Sequence, residues 1–511
     1  MPDPRRYDES LNRIRREVSP VRYAEELVEG GFAIEVADAA LLHDGLNVAD
    51  LAHVLVLRER AVVPDDAARR LLAVLLEAVG TPVAEFGYDA VHGEAYNCRE
   101  RRFAGQIGRD AGWLHAGRPR REAVRIAMRL RVRRDTADLI EAAAEFARAA
   151  AEVAGEHAET LMAEQTYLQH AQPSTFGHYL LAMVYPVLRE IDRLTAHLDW
   201  VNLSPAGAGG VNGSPLTGDR ERMAEMLGFD GVIEHTRDAM WQADGLTGVV
   251  GTAAGLVTTL AKLAEDLEIW SSSEFGYLSL AHRHTRSSVL MPQKRNPYAL
   301  TMVRGEAGIL IGRATGMLAI AKSPSARSDN LIFAYGEVPR ALDLARRATR
   351  LMTGVVGGLT VDSERMYAAL VAGFSQAADL AEHVMTAYGL DYRSAYDLVG
   401  MCVRRAAADG LRGVDITGDM LDAAAAELAE VDPRWPGAPV FSGTDLREVL
   451  DPGAIVRSRR SRGGAAPDVV RGMTKECLRV ADAALATVRA RRAGFAAAES
   501  AVLRDATALA G

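Results

Sequence analysis

The segment Ser287-Ser288-Val289-Leu290-Met291-Pro292-Gln293-Lys294-Arg295-Asn296-Pro297 holds a hydroxyl, an ammonium and a carboxamide within nine residues. Its two prolines stop either flanking helix from running through it, so it reads as a loop between helical runs. A serine hydroxyl serves as a base only where its alkoxide is stabilised, and a neighbouring ammonium and backbone N–H dipoles supply that stabilisation. Two serines alone would describe an ordinary polar loop. The full string marks Ser288 as a candidate base or nucleophile, with Lys294 and Asn296 beside it. Lys294 carries extra weight because only four of the 59 basic residues are lysines: Lys262, Lys294, Lys322 and Lys475. A compact ammonium suits places where a broad guanidinium does not.

The elements that must hold this loop are helices. No proline occurs between Pro119 and Pro173, or between Pro215 and Pro292, and both gaps are rich in Ala, Leu, Arg and Glu. Apolar residues recur at three- and four-residue spacing from Ala123 to Gln165 (Ile126, Leu130, Leu139, Ala143, Phe146) and from Leu246 to Trp270. Further runs span Phe176 to Val201 and Ala299 to Lys322. No stretch alternates strictly enough to build a sizeable sheet. The expected class is all-α: three helical domains around a central bundle of long helices, divided at 1–121, 122–361 and 362–511. The divisions fall at the Gly/Pro/Arg-rich stretch His115 to Arg121 and at the glycine-rich break Val355 to Gly358, followed by a new helix cap. Helices this apolar need partners on more than one side, which predicts burial between subunits.

Composition narrows the function class. The 511 residues are 49% hydrophobic and 25% charged, with a net charge of −9, as in a folded protein with no global attraction to nucleic acid. The basic cluster Arg457 to Arg462 lies beside Gly463 and Gly464 without interleaved aromatics, and reads as a solvated turn. Cys98, Cys402 and Cys477 form no metal or redox spacing, the polar start MPDPRRYDES has no signal core, and the apolar stretches carry charges before reaching membrane-spanning length. A cytoplasmic protein without a metal or organic cofactor is expected.

The loop string resembles the signature of the fumarase/aspartase superfamily, approximately Gly-Ser-x-x-Met-x-x-Lys-x-Asn, with Ser287 in the place of the glycine and Ser288 in the place of the catalytic serine. The likeness extends along most of the chain and is strongest to the argininosuccinate lyase group. His115-Ala-Gly-Arg118, Leu168-Gln-His-Ala-Gln-Pro173, Ser204-Pro-Ala-Gly-Ala-Gly209, Ala264-Glu-Asp-Leu267, Ser273-Glu-Phe-Gly276 and Ser363-Glu-Arg-Met366 look like segments of that group. The resemblance implies a homotetramer whose active sites are assembled from three regions on three subunits. It also implies loss of a Cβ proton and a Cα substituent from a succinyl substrate, giving fumarate. Proton loss builds an aci-carboxylate dianion, which Lys294 and Asn296 would stabilise. Arg120 stands where the group's Ser-Arg-Asn triplet places a carboxylate-gripping arginine, and His92 where it has an early pocket histidine. Thr166, Gln172 and Asn212 fall in the segments that shape the pocket.

Three departures bear on the substrate. The usual Thr-His pair is Thr166-Tyr167, and a phenol with a reference pKa near ~10 is a weaker proton donor than imidazolium; His170, three residues on, is a candidate substitute if the local backbone is helical. The triplet reads Pro119-Arg120-Arg121, so Arg121 is a candidate extra anion contact. The polar residues that hold the arginine half of argininosuccinate correspond to Arg327, Ile332 and Tyr335, and Ala243 replaces an arginine before Asp244. An apolar wall of Ile332, Phe333 and Ala334 disfavours a desolvated guanidinium. The expectation is therefore a fumarate-forming carbon–nitrogen lyase with a different leaving group from argininosuccinate. The alternatives are a cycloisomerase, elimination of nitrite from nitrosuccinate, or a crystallin-like scaffold without activity.

Overall fold

The computed structural model describes residues 23–322, 330–432 and 441–511. Short helical turns lead into α1 (Ala39–Glu59) and α2 (Asp65–Gly80), the latter opened by Pro64 and by two aspartates that suit a helix N-terminus. After α3 (Ala95–Ile107), α4 (Arg120–Glu156) starts directly behind Pro119 and runs 37 residues, about 55 Å at 1.5 Å per residue. Its apolar spacing was expected to carry helix as far as Gln165. The chain instead turns at His157, and Leu161–Thr166 (β1) pairs antiparallel with Gln169–Thr175 (β2). Tyr167 and Leu168 form the hairpin tip with φ of 56° and 57°. Positive φ at both tip residues matches the right-handed twist of the strands, and at two bulky side chains it costs roughly 1–2 kcal/mol each.

From the hairpin the chain shuttles along the bundle. α5 (Phe176–Val201) returns beside α4, capped by Thr175, whose hydroxyl accepts the His178 N–H at 3.1 Å. α6 (Asp244–Trp270) runs back to the hairpin end, where Trp270 Nε1 donates to Gln165 Oε1 at 3.3 Å. The signature loop follows, then α7 (Tyr298–Ala321) packs along α6, and α8 (Ala334–Val356) packs on α4 and α7. α9 (Ala377–Tyr388), α10 (Tyr392–Ala408) and α11 (Gly418–Val431) form a separate small group, and α12 (Pro467–Ala510) closes the chain.

The hydrophobic cores cut across the divisions at 121 and 361. One core joins α1, α2, α4 to α8 and α12, through residues such as Leu51, Leu72, Phe146, Leu188, Leu260, Val338 and Leu485. A second holds Leu380, Leu398, Leu421, Phe441 and Leu450. The final helix therefore belongs with the bundle rather than with the small group that precedes it. The sheet content of the described residues is limited to two-stranded ribbons, so the all-α expectation holds. α1 and α6 are long and apolar enough to cross a membrane by composition, and both contribute to the main core. α7 buries only part of its circumference: Leu300, Val303 and Leu310 are inside, while Met302, Ile309, Ile311 and Leu318 are exposed.

Candidate active site

The signature loop is shaped by its own hydrogen bonds. Arg286-Ser287 pairs with Arg295-Asn296 as a miniature antiparallel ribbon, and the Ser288 N–H reaches the Lys294 carbonyl at 3.4 Å. Asn296 Nδ2 donates to the Arg286 carbonyl at 3.0 Å, which closes the neck. Inside the loop, Ser288 Oγ accepts the backbone N–H of Met291 at 3.0 Å and of Leu290 at 3.3 Å. Two amide dipoles aimed at one hydroxyl oxygen favour its deprotonated form, which is the requirement for a serine base. The Lys294 side chain is exposed, and Val289 and Leu290 project into solvent at the loop apex.

The arginine clamp is built at the other end of α4. Arg120 is the first residue of the helix; its guanidinium donates to Asn97 Oδ1 on α3 and pairs with Glu94 at 3.4 Å. Arg121 reaches Glu94 at 2.9 Å and Glu35 at 3.0 Å, so its guanidinium is engaged by carboxylates of its own chain. Burial raises the Glu94 pKa, against the pull of Arg121. Behind the clamp, Asp50 accepts from Arg99 at 2.7 Å, from Arg118 at 2.5 Å and from the Tyr96 hydroxyl at 2.9 Å, all four side chains being buried. This network fastens α1, α3 and the turn before α4 to one another. His92 is half-buried in a short turn capped by Asp89.

The glycine-rich segment lies against the same helix start. Glu122, fully buried, accepts the N–H groups of Gly207 at 2.8 Å and Gly209 at 2.6 Å. Gly209 has φ +62°, and a Cβ there would lie 2.7 Å from the Gly213 carbonyl oxygen, so only glycine fits. Asn212 sits exposed on this turn. Asn97, Glu94, Asp50 and Glu122 carry no motif of their own and were not anticipated from sequence.

The hairpin holds the third group. Tyr167 is 99% exposed at the tip, and Thr166 and Gln172 are exposed on the strands. The condition for His170 to replace the missing histidine is not met: the backbone is strand, and His170 pairs with Gln165 two positions back from the tip. Its ring faces the chain's own 373 turn, where a Cβ on Gly373 would be 3.6 Å from Nδ1. At the leaving-group segment, Arg327 lies outside the described residues. Tyr335, expected to face the substrate, is 3% exposed in the first turn of α8, and its hydroxyl accepts from Arg125 at 2.6 Å. Ile332 packs partly buried beside it, and Phe333 is exposed.

Comparisons with known proteins fit this geometry. Residues 86–312 match the family described as Lyase, and residues 374–457 the family described as Argininosuccinate lyase C-terminal. Argininosuccinate lyase of Methanosarcina acetivorans is 30% identical over 466 residues, 90% of each chain. The chain belongs to the fumarase/aspartase superfamily, beside the argininosuccinate lyases. Argininosuccinate lyase of Natronomonas pharaonis is 34% identical over 96% of both chains. An EDDS lyase solved in complex with formate has the same fold, with a TM-score of 0.82 at 25% identity over 96% of both chains. Its likeness to argininosuccinate lyases along nine-tenths of the chain, and to an EDDS lyase in fold, makes the protein a fumarate-forming carbon–nitrogen lyase. Within one superfamily subunit of this shape, the clamp at Arg120 and the hairpin at Tyr167 stand at opposite ends of the 37 residues of α4. A single chain does not bring them together.

Proposed function

We propose that this lyase removes the Cβ proton of an N-substituted succinate with Ser288 and expels an amine from Cα, releasing fumarate, and that argininosuccinate is not its main substrate. The observation that carries this reading is the pair of backbone N–H groups on Ser288 Oγ. In the elimination, Ser288 takes the Cβ proton, the electron pair forms the new double bond, and the C–N pair leaves with the nitrogen. Lys294 and Asn296 stabilise the charge that develops on the adjacent carboxylate, and Arg120 grips the carboxylates. Tyr167 protonates the departing nitrogen from the hairpin tip. His92, Thr166, Gln172 and Asn212 line the succinyl half of the pocket.

The site is completed in a homotetramer, with Arg120, Tyr167 and Ser288 drawn from different subunits. The roughly 55 Å length of α4 and the uncovered apolar residues of α7 support that assembly. The leaving-group wall is Ile332 and Phe333, because the Tyr335 hydroxyl is already held by Arg125. That wall disfavours a guanidinium, which loses hydration there without gaining polar partners. A second reading, loss of nitrite from nitrosuccinate, draws on Tyr167: nitrite leaves as a stable anion and needs no strong proton donor. Running the reaction backwards decides between these readings. Fumarate incubated with a panel of amines should yield N-substituted aspartates; addition of nitrite alone would replace the first reading by the second.

A further inference from the structure

We propose that Glu122 is a positioning residue that locks the glycine-rich loop onto the arginine clamp, and that its ionised carboxylate sets the affinity of the site for succinyl carboxylates. It lies two residues beyond Arg120 in the first turn of α4, with no solvent exposure. Each of its oxygens takes one amide, Gly207 at 2.8 Å and Gly209 at 2.6 Å. The turn so held is narrow: the Gly213 N–H returns to the Ala208 carbonyl at 2.8 Å, and Asn212 stands next to it. One carboxylate thus fixes the spacing between Arg120 and the loop that bears Asn212.

The charged groups facing Glu122 are Arg118 and Arg220. Arg118 gives its donors to Ala49, Asp50 and Tyr96, and Arg220 gives its own to Ala206 and Glu234. The two glycine amides are therefore the hydrogen bonds that stabilise the buried charge. Burial, only partly offset by the Gly207 amide and these arginines, pushes the Glu122 pKa up to about 7. Above that pH both oxygens accept. Below it a proton occupies one oxygen, one glycine amide loses its acceptor, and the loop loosens.

The inference rests on the fumarate-forming reading for its kinetic test. In the full-length enzyme, KM for fumarate in the reverse direction should fall several-fold as pH rises through about 7. Glu122→Gln, which resembles the protonated acid, should hold KM near the wild-type low-pH value at every pH, so that KM rises above wild type only above about pH 7, and should change kcat much less. A Gln variant with the wild-type KM and pH profile overturns the proposal, as does a wild-type KM that is flat through this range. Hydrogen exchange of residues 203–213 separates the two readings. If the wild-type enzyme neither binds nor forms fumarate, the reading of the site fails. The role of Glu122 in the loop still requires faster exchange there in Glu122→Gln than in wild type at a pH above about 7, and equal exchange at that pH refutes it.

Discussion

At the scale of single residues, Ser288 and Tyr167 differ in how the fold presents them. Ser288 is held by amides of its own loop, so the groups that surround its hydroxyl lie within one string of sequence. Tyr167 stands alone on a strained turn, and 99% exposure means that its removal costs the isolated fold almost nothing. Tyr167→Phe should leave thermal unfolding unchanged and lower kcat by about 10²-fold for an amine leaving group, the usual scale of a lost proton donor. An unchanged kcat would remove Tyr167 as the acid. Glu122 escaped the sequence reading for a physical reason. An acid in the first turn of a helix normally serves the helix dipole, and only the approach of Gly207 and Gly209 gives this one a second task. Its raised pKa also has a sign for stability. The folded chain holds that proton more tightly than the unfolded chain, so ionisation costs about 3 kcal/mol between pH 4.5 and about 7. Stability from this group falls over the range in which the loop becomes ordered.

At the scale of elements, the long helices were readable because their apolar spacing is continuous and prolines bound them. The span Phe176 to Val201 matches α5 end to end, and Leu246 to Trp270 falls within α6. The hairpin was missed because Leu161 to Gln165 extends a helical spacing by accident, while what fixes strand pairing there is the turn at Tyr167-Leu168 and contact with distant chain. One such contact is His178, whose Nε2 meets the Gly463 carbonyl oxygen at 3.0 Å. Its Nδ1 lies 3.2 Å from Ser174 Oγ and 3.5 Å from Glu164. The Glu164 hydrogen bond raises the His178 pKa against the effect of burial. A histidine with a raised folded pKa gives stability that is complete below its ordinary value of 6.5 and is lost as pH rises through the raised one. Hydrogen exchange of residues 161–175, corrected for intrinsic rates, should therefore lose protection as pH rises through that window in the wild type. In His178→Gln the pH step should vanish; a step that persists there assigns it to another group.

At the scale of the whole molecule, the clamp, the hairpin tip and the serine loop are each ordered in one chain, yet the first two follow from opposite ends of α4, a helix about 55 Å long. The proposed assembly was suggested in the sequence by helices too apolar for their number of neighbours, and the exposed Ile309, Ile311 and Leu318 of α7 support it. Which residues share a site came only from the family resemblance, since composition and spacing do not say how copies dock. The proposed assembly makes a quantitative prediction. Arg120→Ala and Ser288→Ala tetramers should each be nearly inactive, while subunits mixed in equal amounts and reassembled should recover about a quarter of wild-type activity, because a site takes the two residues from different chains. No recovery would place both residues of a site on one subunit.

The most direct test of the central claim is fumarate release by the wild-type enzyme and Ser288→Ala from a panel of N-substituted succinates that includes argininosuccinate. The account predicts rapid release from a substrate whose amine carries an uncharged or apolar group, release from argininosuccinate slower by about 10²-fold, and loss of nearly all turnover in Ser288→Ala at little change in KM. Argininosuccinate as the best substrate, or undiminished turnover without the Ser288 hydroxyl, would contradict it.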